Sequence, residues 1–317
     1  MTSSDRPSSP SVVVCGTVNI DTFVHVDQFP TAGETIIGAP NGKALGGKGA
    51  NQAVAAARYA AGTGDVLFHA TVGTDGDGDS ALAELAEYGV DVAAVGRTDD
   101  APTGQAFIMN DPAGENIIVV TSGANEVTDP DELGGSGSGP DTAAVLLAQG
   151  ELTPEHSAAL PALAGRLGAR FVLNLAPVTT RDRELLASAD PLIVNESEAA
   201  DVLGLPRDTL LDELLDAFGT AVEDGLAVSA VVTLGAQGAL LVAEGERTMV
   251  DSIPVEKSEV VDTTGAGDAF CGTLATALAE GETLAGAARV ATAAGSLAVR
   301  AQGAAGPYAG RDEIRAL

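Results

Sequence analysis

The chain reads as an α/β protein: a central, mainly parallel sheet flanked by helices, with a small β-sheet lid beside it. Three observations lead there. Short apolar, β-branched runs alternate with segments of helical periodicity. Two segments, about residues 21–46 and 98–123, break that alternation with strand-like pieces and turn residues. The chain has 317 residues, 45% of them apolar, enough for a large buried core. Residues 1–317 are expected to form one domain, with a disordered N-terminus at 1–10.

The elements follow in order. Ser11–Cys15 is a short β-branched run ending at Gly16, the pattern of a buried central strand. Further strands are expected at Val66–Thr71, Ala143–Ala148, Phe171–Asn174, Pro191–Val194 and Ser229–Leu234. Helical patterns lie between them at Gly49–Ala61, Gly78–Tyr88, Glu155–Leu167, Arg181–Ala187, Ser197–Leu203 and Thr209–Asp224. In the second irregular segment, Gln105–Met109 and Asn116–Val120 flank Asp111-Pro112-Ala113-Gly114, which reads as a hairpin. Gly134–Pro140 reads as a flexible surface loop. Near the C-terminus a helix is expected from about Ala266 to Glu280, stopped by Gly281, followed by an Ala-rich helix from Leu284 to Val299.

Charge excludes some functions. There are 45 acidic residues against 16 basic ones, a net charge of −29. No basic stripe exists to neutralise phosphates, so nucleic-acid binding is not expected. The acids are spread along the chain rather than gathered in a tail, which matches a halophilic surface, because molar salt shortens the screening length to about 3 Å. No apolar run reaches membrane-spanning length, so no membrane partner is expected. With two cysteines, Cys15 and Cys271, and no signal-peptide core, a cytoplasmic protein is expected.

Several stretches could carry chemistry. Gly265-Ala266-Gly267-Asp268 opens a helix, where free backbone N–H groups and the positive dipole end attract an anion. A carboxylate beside a held phosphate could take a proton from a hydroxyl, as phosphoryl transfer to an alcohol requires. Alone, Asp268 could equally be complementing the helix dipole. Gly46–Ala53 (GGKGANQA) also leads into a helix; it lacks the P-loop spacing, and Lys48 and Asn51 could bond polyol hydroxyls, or the glycines could only shape a cap. Asn195-Glu196-Ser197-Glu198 reads first as a capping box, and second as a carboxylate ordering water around Mg2+. Asn19 and Asp21 follow the first strand, at an expected carboxyl end where ligands bind. Thr233–Gly238 could pass under nucleotide phosphates or be a hairpin turn. The glycines of Gly73–Gly78 do not match a dinucleotide fingerprint, His25, His69 and His156 lack zinc-ligand neighbours, and the cysteines read as core residues.

Together, and in this order, these stretches resemble the ribokinase branch of the PfkB carbohydrate-kinase family, from about Val12 to Ile314. The signatures are GGKGANQA at Gly46–Ala53 and VDTTGAGDAF at Val261–Phe270, with an NxxE element at Asn195 and Glu198 and a TLGxxG turn at Thr233–Gly238. The resemblance implies a ribokinase-like fold and an ATP-dependent sugar kinase, with D-ribose as the leading substrate and ribose 5-phosphate and ADP as products. It makes Asp268 the general base and the N–H groups around Gly265, Ala266 and Gly267 the anion hole. It places the sugar on Asn19, Asp21, Gly47, Lys48, Asn51 and Glu151. Asn195 and Glu198 would organise Mg2+, while Thr233, Gly235 and Gly238 would line the ATP site with Thr292 near the adenine. A K+ site is implied at Asp262 and the carbonyls of Thr264, Ala298, Ala301 and Gly303; the serine that the family often adds is replaced here by Pro307 or Tyr308. A homodimer through open lid edges is also expected. The rivals within the family are kinases of ribose 1-phosphate, nucleosides or fructose, for the first of which Arg97 could supply a cation. The rival outside enzymes is a catalytically silent sugar- or nucleotide-binding regulator.

Overall fold

The computed structural model describes residues 11–61, 65–113, 115–133 and 139–317. The expected disordered N-terminus, most of the Gly134–Pro140 loop and Gly114 of the hairpin turn lie outside the described residues.

The chain runs β1 (Val12–Cys15), β2 (Asn19–His25), β3 (Ala39–Gly46), α1 (Lys48–Ala60), β4 (Val66–Gly73), α2 (Gly76–Glu87), β5 (Asp91–Thr98), β6 (Gly104–Asn110) and β7 (Asn116–Thr121). It continues through β8 (Val145–Gln149), α3 (Pro154–Leu167), β9 (Arg170–Asn174), α4 (Arg183–Ser188), β10 (Leu192–Asn195), α5 (Glu196–Leu203), α6 (Leu211–Glu223) and β11 (Ser229–Thr233). The last elements are β12 (Ala239–Ala243), β13 (Glu246–Val250), α7 (Ala266–Ala279), α8 (Leu284–Ala298) and α9 (Arg311–Arg315).

The large sheet has the order β13-β12-β11-β10-β9-β8-β1-β4-β5. Its strands from β11 to β5 pair in parallel, and β12 and β13 close one edge antiparallel. Because the pleat turns successive side chains to opposite faces, Val12 and Val14 enter one core while Val13 and Cys15 enter the other. The first core lies under α1, α7 and α8; the second lies under α3 to α6. Both faces are covered, which is why β1 and β8 are apolar at nearly every position. Among the described residues, no helix is long and apolar enough to cross a membrane.

Three strands depart from the sequence reading. β5 was not foreseen, since Ala94, Gly96 and an exposed Asp91 dilute its pattern on an edge strand. The β12–β13 hairpin was missed because β13 is mostly exposed and carries charge at Glu246 and Arg247. Thr98 closes β5 instead of belonging to the smaller sheet.

The smaller sheet has the order β3-β2-β6-β7, with β2 and β6 parallel and the other pairs antiparallel. Asn19 and Asp21, expected as an exit from the first strand, lie within β2. Lys43 of β3 pairs with Asp77 on α2 at 2.8 Å, tying this sheet to the body.

Helices α1 and α7 approach closely because small residues face each other. A Cβ placed on Gly272 of α7 would collide with the Gln52 carbonyl oxygen and come within 2.7 Å of Ala55 Cβ. That proximity lets side chains of α1 reach the first turn of α7.

Candidate active site

Parallel pairing brings the carboxyl ends of β1, β8, β9, β10 and β11 to one edge of the large sheet. Polar residues gather there: Thr17 just after β1, Gln149 and Glu151 at and after β8, Asn174 ending β9, Asn195 ending β10 and Thr233 ending β11.

Gly47 precedes α1 with φ +87°, a left-handed backbone that favours glycine. A Cβ there would also stand 2.9 Å from the Asn19 nitrogen. This close approach delivers Lys48 and Asn51 on the first turn of α1 and Gln52 at the start of the second. The Lys48 N–H donates to Glu151 Oε2 at 2.9 Å, and the Thr17 hydroxyl donates to the same oxygen. Burial pushes the Glu151 carboxyl up against the opposing effects of Lys48 and Thr17. The Lys48 ammonium is held above its usual range chiefly by the charge of Asp268, with burial opposing and Glu151 and Glu198 adding. Burial, then the charge of Glu151, raises Asp21 to about 6.

Asp268 sits in the first turn of α7, 6% exposed. Its Oδ2 accepts from Asn51 Nδ2 at 3.0 Å and its Oδ1 from Gln52 Nε2 at 2.9 Å. Gly265 caps the helix at φ +76°, and the Tyr308 hydroxyl donates to its carbonyl at 3.0 Å. A Cβ added at Gly267 would meet nothing within 4 Å, so the space beside the helix start is open. The helix-start N–H groups and the dipole make that space favourable for an anion.

A cavity of about 620 Å³ opens from this point. Ala266 and Gly267 form one end, Thr233, Gly235 and Gly238 a wall, and Thr292 and Val299 of the α8 region another. The Thr233–Gly238 turn is both of the things its sequence allowed: it joins β11 to β12 as a hairpin, and it lines the cavity. The Thr292 hydroxyl is taken by the Arg289 carbonyl at 2.8 Å. Asn195 and Glu198 form the expected capping box, each side chain accepting from the other's N–H. Glu198 is raised by burial, with the Asn195 N–H and Lys48 opposing.

Asp262 ties two loops together. Its Oδ1 accepts from the Thr264 N–H and its Oδ2 from the Gly303 N–H, both at 2.9 Å. Burial works to raise its pKa, but these bonds outweigh it and hold the carboxyl below its ordinary value. The Ala298 carbonyl accepts from Ala301 N–H at 3.3 Å in the same bend. Of the two residues standing where the family's serine would be, Tyr308 is buried and turned to Gly265. Arg97 lies on β5, occupied by Asp79 at 2.7 Å and by the Gly73 carbonyl.

Sequence reading passed over Thr17, Asn125, Gln149 and Asn174, and it took Gln52 only as part of the Asn51-Gln52 pair that favours a ribokinase-type sugar site. Asn125 donates to the Val18 carbonyl and to Asn19 Oδ1 at 2.8 Å, and so fixes the Asn19 amide. Gln149 and Asn174 did carry a signal: each is a polar side chain closing an apolar strand, where nothing in strand chemistry calls for one.

The sequence model of pfkB family carbohydrate kinases matches residues 9–309. The chain is 34% identical over 305 residues to the ribokinase of Haemophilus influenzae, covering 96% of each chain. The structure of the ribokinase of Arabidopsis thaliana complexed with ribose and ATP superposes with a TM-score of 0.84 at 30% identity, over 98% of each chain. That of the ribokinase of Giardia lamblia gives 0.85 at 28% identity, again over 98% of each. This chain is therefore an ATP-dependent sugar kinase and belongs to the pfkB family of carbohydrate kinases.

Proposed function

We propose that the enzyme is a ribokinase, transferring the γ-phosphoryl group of ATP to the 5-hydroxyl of D-ribose to give ribose 5-phosphate and ADP. The observation that carries this reading is the position of Asp268. Its carboxylate is bonded to Asn51 and Gln52 on one side, and its helix start borders the cavity on the other. A hydroxyl delivered from the α1 side would meet a proton acceptor and an anion-stabilising helix terminus together.

The sugar is assigned to Asn19, Asp21, Gly47, Lys48, Asn51 and Glu151, whose carboxylates and amides suit a polyol. Asp268 takes the proton from the attacking oxygen as the bond to phosphorus forms and the bond to the ADP oxygen breaks. N–H groups at Gly265, Ala266 and Gly267 stabilise the transferring phosphoryl oxygens. The nucleotide is assigned to the cavity with Thr233, Gly235, Gly238 and Thr292.

Among the described residues no group of three or more His, Cys, Asp or Glu could hold a metal. A Mg2+ carried by the nucleotide phosphates, which keeps several waters, needs no such cage; Asn195 and Glu198 would hold it through water. It would offset charge on the phosphates. A K+ ion is assigned to the Asp262 bend, where the ionised carboxylate and the carbonyls of Thr264, Ala298, Ala301 and Gly303 would be its oxygen donors. Against the ribose 1-phosphate reading, Arg97 already pairs with Asp79 and the Gly73 carbonyl.

The smaller sheet is assigned as a lid that excludes water. Its edge strand β7 leaves Ile118 52% and Val120 58% exposed, which supports a homodimer through paired lids. A monodisperse monomer by light scattering in molar KCl would overturn the dimer. A surface at −29 supports salt adaptation, and an unfolding midpoint highest in salt-free buffer would overturn that.

The test of function is ADP release in molar KCl with Mg-ATP, across ribose, fructose, adenosine, guanosine, cytidine and ribose 1-phosphate. Turnover preferring ribose, and falling when NaCl replaces KCl, is expected. Turnover only with a nucleoside or ribose 1-phosphate moves the enzyme to another substrate class, and sugar binding without turnover revives the silent regulator.

A further inference from the structure

Behind Asp268 lies a chain of buried amides that the reaction as described does not use. Gln52, 0% exposed on α1, donates one Nε2 proton to Asp268 Oδ1 and the other to Asn174 Oδ1, both at 2.9 Å. Its Oε1 accepts from Gln149 Nε2 at 2.9 Å. Asn174 is oriented in turn by its Nδ2, which donates to the Ile193 carbonyl at 3.2 Å across the β9–β10 pair.

The direction of every amide in this chain follows from its partners. Turning the Gln52 amide over would set Oε1 against the Asp268 and Asn174 oxygens and Nε2 against Gln149 Nε2, so three bonds would become three repulsions. Only one orientation is consistent, and it aims an N–H at the carboxylate. The supports stand on β8, β9 and β10, the middle of the sheet, and the Gln149 side chain abuts Gly16, where an added Cβ would collide with it. The carboxylate is thereby referenced to the rigid sheet, while the helix start that carries it is a glycine turn.

We propose that Gln52 is a positioning residue for Asp268, locked by Gln149 and Asn174, which holds the carboxylate in the rotamer that accepts the proton of the attacking hydroxyl. Gln52 acts through Asp268 and does not touch substrate. The inference rests on the reading of Asp268 as the general base.

The test is a double-mutant cycle on the full-length enzyme with ribose and Mg-ATP in molar KCl. In an otherwise unaltered enzyme Gln52→Leu is expected to lower kcat by about 10²-fold, as small misplacements of reacting groups do. KM for sugar and for ATP should stay within about threefold, since uniform binding is untouched. In an Asp268→Asn background the same substitution should lower the residual kcat by less than about twofold, because residues acting as a unit are not additive. Equal losses in both backgrounds would overturn the inference, since a purely structural role acts on both alike. Near-normal turnover in Asp268→Asn alone would remove the base reading and the inference with it. A crippled Asp268→Asn beside an unaffected Gln52→Leu would remove only the inference. If Gln52→Leu does not fold, Gln149→Leu replaces it: it frees the Gln52 amide without contacting Asp268. A smaller loss of kcat with unchanged KM supports the lock, and unchanged kcat overturns it.

Discussion

On the α1 side of Asp268, the groups assigned to the sugar are mostly side chains, among them Lys48, Glu151, Asp21 and Asn51, buried or half-buried, with several pKa values moved by burial and by one another. On the α8 side the cavity is walled by backbone at Gly235, Gly238 and Gly267 and by Val260, Phe270 and Val299, and the polar Thr292 spends its hydroxyl on its own helix. On the assignment proposed above, the first side would discriminate by charge and hydrogen bonding, and the second would work through shape and helix-terminus N–H groups. Substitutions of side chains should therefore be costly on the first side and mild on the second, where added volume does the damage.

The largest effect is expected where the two sides meet. Asp268→Asn should lower kcat by about 10²–10⁴-fold, the range of a lost general base, with an unchanged far-ultraviolet spectrum and an unfolding midpoint lowered only as far as setting the new NH2 against Asn51 Nδ2 or Gln52 Nε2 requires, about 1–3 kcal/mol. Near-normal turnover would dissolve the boundary between the two sides.

Next come two glycines in one turn. At Gly267 an added Cβ meets no protein atom, whereas at Gly265 it meets Tyr308 Oη at 2.5 Å and Ala304 Cβ at 2.8 Å, on a backbone with φ +76°. Gly265→Ala should cost about 1–3 kcal/mol of stability, read as a lower denaturation midpoint. Gly267→Ala should leave stability unchanged or raise it by up to about 1 kcal/mol. Its methyl would project into the space assigned to the phosphoryl group, and kcat should fall at least about tenfold. Loss of stability at Gly267 with kept activity would reverse the assignment of that space.

The charged side also titrates. The folded pKa of Asp21, about 6, stands above the value of an unburied carboxyl, so the group is protonated below that pH. With the sugar assigned to Asp21, its hydroxyls would donate to the carboxylate form, so binding is expected to weaken as pH falls through about 6. The apparent KM for sugar should rise about tenfold between pH 7 and pH 5, with KM for ATP flat. Asp21→Asn should raise KM and remove its slope. The same shift makes the sugar-free protein lose stability as pH rises between the unfolded value and about 6, because there the folded state holds the extra proton.

The two sides were also unequally legible in the sequence. Gly46–Ala53 and Val261–Phe270 stood out because their glycines are needed wherever backbone approaches backbone, as at Gly47 against Asn19. The parallel strands stood out because burial on both faces demands unbroken apolar runs. Gln149 and Asn174 carried only the signal of a polar strand end, and Asn125 none, since their side-chain partners lie 97 to 122 residues away and only the tertiary fold brings them together. The β12–β13 hairpin was hidden because an exposed edge strand need not alternate. Spacing therefore revealed the backbone-built parts of the site, and the tertiary fold revealed the amide network that orients its carboxylate.

The smallest effect belongs to Thr292. It lines the cavity, so proximity alone would make it an adenine contact. Its Oγ1, however, donates to the Arg289 carbonyl three residues earlier at 2.8 Å, a local bond that spends its one proton. Beside a methyl group that valine would also offer, the hydroxyl has left to it only the role of an acceptor. Thr292→Val should change KM for ATP less than about twofold, a loss well under the ~1 kcal/mol of an ordinary hydrogen bond. A larger inert residue at the same position, Thr292→Leu, should raise KM for ATP more than Val does, because it adds volume to a wall that works by shape. If Val and Leu rank the other way, the hydroxyl is a polar contact after all, and the contrast between a charged side and a shape-built side fails at this wall.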